Sequence, residues 1–158
     1  MIRHRHRGFS FVELLTSLVI LGLLASLAMP LAQTTVRRDK ERELRRSLRE
    51  LRAAIDAYKA ATADGRITVD ADASGYPPDL DVLVTGVPSA RQDGATLYFL
   101  RRVPRDPFHP EATLPASQSW GQRSSASPPE RPERGDDVFD VYSTSSETGL
   151  NGIAYKEW

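Results

Sequence analysis

One acidic residue, Glu13, stands near the start of an otherwise apolar stretch that runs over residues 9–31. No other feature narrows so far what this chain can fold into. At about 1.5 Å per residue, a helix of that length reaches roughly 34 Å, enough to cross a hydrocarbon core of ~30 Å. A carboxylate near the start of such a span costs a few kcal/mol unless it meets a partner. The stretch follows a short basic leader, residues 1–8, ending in Arg7-Gly8. Cleavage after Gly8 would give Phe9 a free ammonium group, able to pair with Glu13 of a neighbouring copy. A cleavable secretory signal is cut after its apolar stretch. Here the cut would precede it, and the stretch would stay in the mature chain.

Arg3, Arg5 and Arg7 flank the N-terminal side of the stretch. The excess of basic residues on the cytoplasmic side of a span places that end inside. Arg37, Arg38 and Lys40 follow the stretch and weaken the asymmetry. An uncleaved signal anchor is the alternative, and Glu13 is what argues against it. His4 and His6 alternate with the leader arginines and read as part of a solvated basic segment rather than a metal site.

Helical patterning continues from residue 9 to about 63 and is interrupted only by Gly22 and Pro30. Pro30 removes one backbone donor and clashes with the preceding turn, which predicts a kink with continuation or the end of the membrane helix. Helix formers resume at once, which favours the kink. Beyond it, Leu44, Leu48, Leu51, Ile55 and Tyr58 recur at spacings of four, three, four and three, one apolar face of an amphipathic helix. The other faces carry arginines interleaved with acids, and Asp39–Arg42, Glu41–Arg45 and Arg46–Glu50 fall at i,i+3 or i,i+4. That basic excess fits a subunit contact, the membrane surface or a merely solvated face. Asp64-Gly65 ends the helix.

The rest is short and turn-rich. Residues 79–83 predict a helical turn, 97–100 and 138–142 predict strands, and 153–155 a weaker third. Residues 115–135, rich in Ser, Pro, Arg and Glu, predict a long surface loop. The expected fold class is α+β: a long N-terminal helix, half membrane-spanning and half amphipathic, packed on a small antiparallel sheet. The expected division is leader 1–8, membrane helix 9–31, amphipathic helix 32–63 and globular region 64–158.

Composition excludes several functions. The chain has 158 residues, zero formal net charge and no cysteine. Zero net charge gives no reason to expect a nucleic-acid partner. The missing cysteines exclude disulfides, thiol catalysis and cysteine-based zinc sites. No GxxxxGK[ST], GxGxxG or HExxH motif occurs, and His109 is the only histidine outside the leader. The sequence predicts a structural protein rather than an enzyme.

The run Arg7-Gly8-Phe9-Ser10-Phe11-Val12-Glu13, followed by an apolar helix with Pro30 near its end, resembles the N-terminus of the type IV filament superfamily. Gly75-Tyr76-Pro77, the block Val103-Pro104-Arg105-Asp106-Pro107-Phe108, Trp120-Gly121 and Asp137–Ser143 resemble the G-type major pseudopilins of type II secretion systems. In that family the Asp-Pro and Trp-Gly elements lie together. Here residues 108–119 separate them, as in a divergent branch.

The resemblance implies a pilin-like fold and cleavage between Gly8 and Phe9 by a prepilin peptidase that also methylates the new amine. It implies a single-pass inner-membrane protein, N-terminus cytoplasmic and C-terminal domain periplasmic. That protein assembles into a filament through Phe9 and Glu13 and helps to drive protein export. The implied partners are further copies, minor pseudopilins, the peptidase and an inner-membrane assembly platform with its ATPase. A type IV pilin, or a minor or competence pilin serving adhesion, motility or DNA uptake, is the alternative. The family's C-terminal loop binds calcium. In this chain the corresponding ligands would be Asp140, Glu147 and Asn151, with the backbone carbonyl at Leu150. One carboxylate within the loop is thin for an ion that takes six to eight oxygens, and a hydrogen-bonded turn without metal is the competing expectation.

Overall fold

The computed structural model describes residues 10–70, 72–91 and 94–158. Helix α1 (Phe11–Ala63) is followed by a short helix α2 (Val82–Thr85) and four short strands. These are β1 (Val87–Pro88), β2 (Thr96–Leu97), β3 (Trp120–Arg123) and β4 (Asp140–Ser143). Single 3₁₀ turns occupy Ala116–Ser119 and Tyr155–Glu157. The chain divides into two compact units, Met1–Asp39 and Lys40–Trp158.

In the first unit the helical backbone of α1 runs on through position 30, as the sequence predicts for continuation past Pro30. The side chain of Pro30 lies outside the described residues, as do Gly8 and Phe9.

The second unit is built around the predicted apolar stripe. Leu44, Leu48, Leu51, Ile55 and Tyr58 are all 4% exposed or less. They pack into one core with Leu80, Leu83, Trp120, Val138, Val141 and Tyr155. The helix ends where Asp64-Gly65 predicts. Gly65 takes φ +63°, the Arg66 N–H reaches the Ala61 carbonyl at 2.8 Å and the Gly65 N–H reaches Thr62 at 2.9 Å. This Schellman closure satisfies the last carbonyls of α1 and needs a residue that tolerates positive φ.

The sheet differs from expectation. Instead of one sheet there are two antiparallel pairs, β1 with β2 and β3 with β4. In the second pair Trp120 faces Ser143 and Arg123 faces Asp140. The strand predicted over 97–100 stops at Leu97, because the N–H groups of Phe99 and Leu100 both turn to the Leu83 carbonyl, at 3.0 and 2.8 Å. The strand predicted at 153–155 is a single bridge, Thr148 with Ala154, before a 3₁₀ turn. The loop predicted over 115–135 contains a 3₁₀ turn and all of β3. Trp120 is 1% exposed there, and its indole N–H donates to the Pro104 carbonyl at 2.8 Å. The predicted helical turn at 79–83 appears three residues later as α2, with Asp81 at its N-cap; just before it, Asp79 Oδ1 accepts the Val82 N–H at 2.8 Å.

The segment that separates the Asp-Pro and Trp-Gly elements leaves and returns at one point. The Asp106 N–H donates to Ser119 Oγ at 3.1 Å. Asp106 is 1% exposed, and its carboxylate accepts the Phe108 N–H at 2.8 Å and the Ser143 hydroxyl at 2.6 Å. A buried charge of this kind is tolerated because each oxygen has a donor. Elements far apart in sequence are therefore adjacent in space.

Candidate functional site

Glu13 lies in the first turn of α1. A helix N-terminus carries unsatisfied N–H groups and partial positive charge, so a carboxylate there is electrostatically favoured. Around it the helix hides its polar atoms. Thr16 and Ser17 donate their hydroxyls to the Val12 and Glu13 carbonyls, each at 2.8 Å, and Ser26 to Leu23 at 2.7 Å. Such back-bonding satisfies these three hydroxyls within the helix. The exterior is apolar. Phe11 is 75% exposed, Val19 69%, Leu18 63%, and even Leu15 44%. Among the described residues no helix is long and apolar enough to cross a membrane. Within the described part of 9–31, then, the arrangement is an apolar helical surface with one carboxylate at its start.

The basic face of the amphipathic half of α1 is divided in use. Arg42 and Arg46 join Arg102, Glu43 and Glu50 around an open hollow of about 480 Å³. Arg45 lies over the Trp158 ring at 4.2 Å. Arg52 donates to Asp140 Oδ1 at 2.8 Å and to the carbonyls of Val141 and Trp158 at 3.2 and 2.8 Å. The sequence leaves the basic face, Arg52 included, open between a subunit contact, the membrane surface and solvent; the structure uses Arg52 to fasten β4 and residue 158 to the helix.

Two of the candidate calcium ligands, Asp140 and Asn151, have their oxygens engaged within the fold. Asp140 sits in β4 with Arg52 on one oxygen and Arg123 at 3.6 Å from the other. Asn151 Oδ1 accepts the Ile153 N–H at 3.0 Å. Leu150 donates its N–H to Glu41 at 2.7 Å. Glu147 is exposed, and its N–H reaches Ser145 Oγ at 3.3 Å. Among the described residues no three His, Cys, Asp or Glu side chains are grouped to hold a metal. The nearest carboxylate upstream, Asp140, is thus paired with two guanidinium groups, and the Asn151 amide oxygen closes the loop's own turn. His109 is likewise structural, with Nδ1 accepting the Glu111 N–H at 3.2 Å.

Two buried acids escaped the sequence reading. Glu41 is 4% exposed and takes both Leu150 N–H and the Tyr155 hydroxyl, the latter at 3.0 Å. A signal existed: one step of three back along the stripe from Leu44 lands on Glu41, so the acid is in phase with the core. Asp137 is 7% exposed. Burial pushes its pKa up, but hydrogen bonds from Ser124, Ser125 and Ser74 outweigh this and hold it at about 2. The Ser124 and Ser125 hydroxyls lie 2.6 and 2.5 Å from its oxygens.

Comparison with known proteins agrees with this geometry. Residues 3–29 match the family described as prokaryotic N-terminal methylation motif. The type II secretion system core protein G of Klebsiella pneumoniae is 31% identical, over 85% of this chain and 93% of that protein. The protein of the same name from Dickeya chrysanthemi is 31% identical, over 96% and 97%. That of Aeromonas hydrophila is 30% identical, over 68% and 71%. No solved structure gives a significant match. With the methylation motif at its start and this identity along nearly its whole length, the chain belongs to the type II secretion system core protein G family.

Proposed function

We propose that this chain is a structural subunit of the type II secretion pseudopilus, processed at its N-terminus and polymerised through α1. The observation that carries the reading is the apolar exterior of α1 from Phe11 onward, with Glu13 in its first turn and a methylation motif over 3–29. A prepilin peptidase cuts between Gly8 and Phe9 and methylates the Phe9 amine. The subunit waits in the inner membrane with its N-terminus cytoplasmic and Lys40–Trp158 in the periplasm. On assembly the apolar helices of many copies stack together. Each Glu13 then pairs with the ammonium of Phe9 on a neighbour. In a low-dielectric filament core an unpaired charge of either sign is costly, so the pairing selects one register. A kink at Pro30 lets the two halves of α1 serve different packings. The growing filament pushes exported proteins outward, and the work comes from an ATPase of the assembly platform, since this sequence has no nucleotide loop.

The mature chain from its native host should begin at Phe9 and carry one added methyl group, read by intact mass and N-terminal sequencing. A chain that retains Met1, or one that begins after Ser26, overturns the processing step.

A further inference from the structure

We propose that the C-terminal loop, residues 143–154, is closed by Glu41 of α1 acting as an internal anion, where the family resemblance implies a bound calcium. A calcium loop turns oxygens inward. This loop turns a backbone donor toward α1. Leu150 presents its N–H to Glu41 Oε1 at 2.7 Å, across 109 positions of sequence. The same oxygen accepts the Tyr155 hydroxyl at 3.0 Å. Arg45, 3.9 Å from the other oxygen, supplies the compensating charge. Charge-assisted bonds to a buried carboxylate are the strong kind, and removal of the acceptor strands both donors.

The tip of the loop is closed by its own backbone. Gly149 N–H reaches the Ile153 carbonyl at 2.8 Å, and Gly152, at φ +81°, turns the chain. Tyr155 is fully buried, with Phe108 stacked on its ring at 4.0 Å and Trp158 set edge-on at 5.0 Å. Phe108 begins the segment that separates the Asp-Pro and Trp-Gly elements. The departure from the family pattern in sequence and the departure in loop chemistry thus meet at one tyrosine. The lock stands whether or not the chain forms a filament.

Hydrogen exchange of the full-length protein in detergent micelles tests it, read on peptides covering 148–154. The wild type should exchange at one rate in millimolar calcium and in chelator. Glu41→Ala should speed exchange of these peptides by about tenfold or more. Tyr155→Phe keeps the ring stack and removes one donor, and should speed it several-fold with β3 and β4 unchanged. Calcium that slows wild-type exchange tenfold overturns the proposal. So does Tyr155→Phe exchanging like the wild type, an outcome that decides the matter even if Glu41→Ala does not fold.

Discussion

The two units share one helix and treat its apolar face in opposite ways. From Lys40 onward the face is sealed, with Leu44, Leu51 and Ile55 at 0% exposure. Before Asp39 its described residues are open, with Val12 at 68% and Leu21 at 64%. At about 25 cal/mol per Å² of apolar surface, the sealed half is stabilised by its own chain. The open half has its cover supplied from outside, first by lipid and then by further copies under the proposed function. The acids follow the same division. Glu41 finds its donors within the chain at 2.7 and 3.0 Å, whereas Glu13 is assigned a donor on another copy. The lesson is that helix pattern alone does not tell folding from assembly. The presence of complementary residues later in the chain does.

The comparison breaks most sharply at Leu51. Leu51→Asp puts an unpaired charge into the core and should cost about 3–5 kcal/mol, abolishing the cooperative melt of the second unit. The same change at Leu18, 63% exposed, should leave that melt within about 0.5 kcal/mol yet prevent filament formation. If both variants melt alike, the division between the units is wrong.

A smaller effect is expected at Gly121, where a Cβ would lie 2.3 Å from the Tyr142 ring. Gly121→Ala should cost about 1–3 kcal/mol by displacing that ring from β3. Urea unfolding measures it, and an unchanged midpoint would mean the ring moves freely.

Acid should weaken the sealed unit. Asp137 has its pKa lowered from 3.8 to about 2 in the folded state. The stability this contributes is full above the unfolded value of 3.8 and is lost as pH falls toward 2, amounting to about 2 kcal/mol. Asp137→Asn should flatten that part of the stability curve between pH 4 and 2. A curve as steep as the wild type's would assign the acid sensitivity to other groups.

The smallest effect on folding belongs to Glu13. Glu13→Val should leave the melt unchanged and the protein in the membrane, yet stop filament assembly and secretion. Normal filaments in that strain would sink the proposed pairing with Phe9.

The helix, its end at Gly65 and the stripe from Leu44 to Tyr58 were legible because each rests on local spacing and capping chemistry. Strand β3 was not. Trp120-Gly-Gln-Arg is short, contains a glycine and lies amid serines and prolines, so its strand character comes from pairing with β4 and from the Trp120 bond to Pro104. The role of Arg52, and the bond of Asp106 to Ser143, depend on partners far along the chain, which no window of sequence contains. Glu41 was the one avoidable omission, since its phase with the stripe could be counted. The pairing of Asp140 was hidden for a related reason: the arginines that claim it come from α1 and β3.

The pinned base of the segment after Asp106 has a practical consequence. Its ends are fixed by Ser119 and Trp120, and its tip at Ala112 and Thr113 is exposed. Added length there leaves the anchor points where they are, and each doubling of a flexible loop costs only about 0.6 kcal/mol in closure entropy. Phe108 must be kept, since it covers Tyr155. A short peptide tag spliced between Ala112 and Thr113 should therefore ride on every subunit without disturbing the fold, a handle by which a growing fibre could be gripped, labelled and watched.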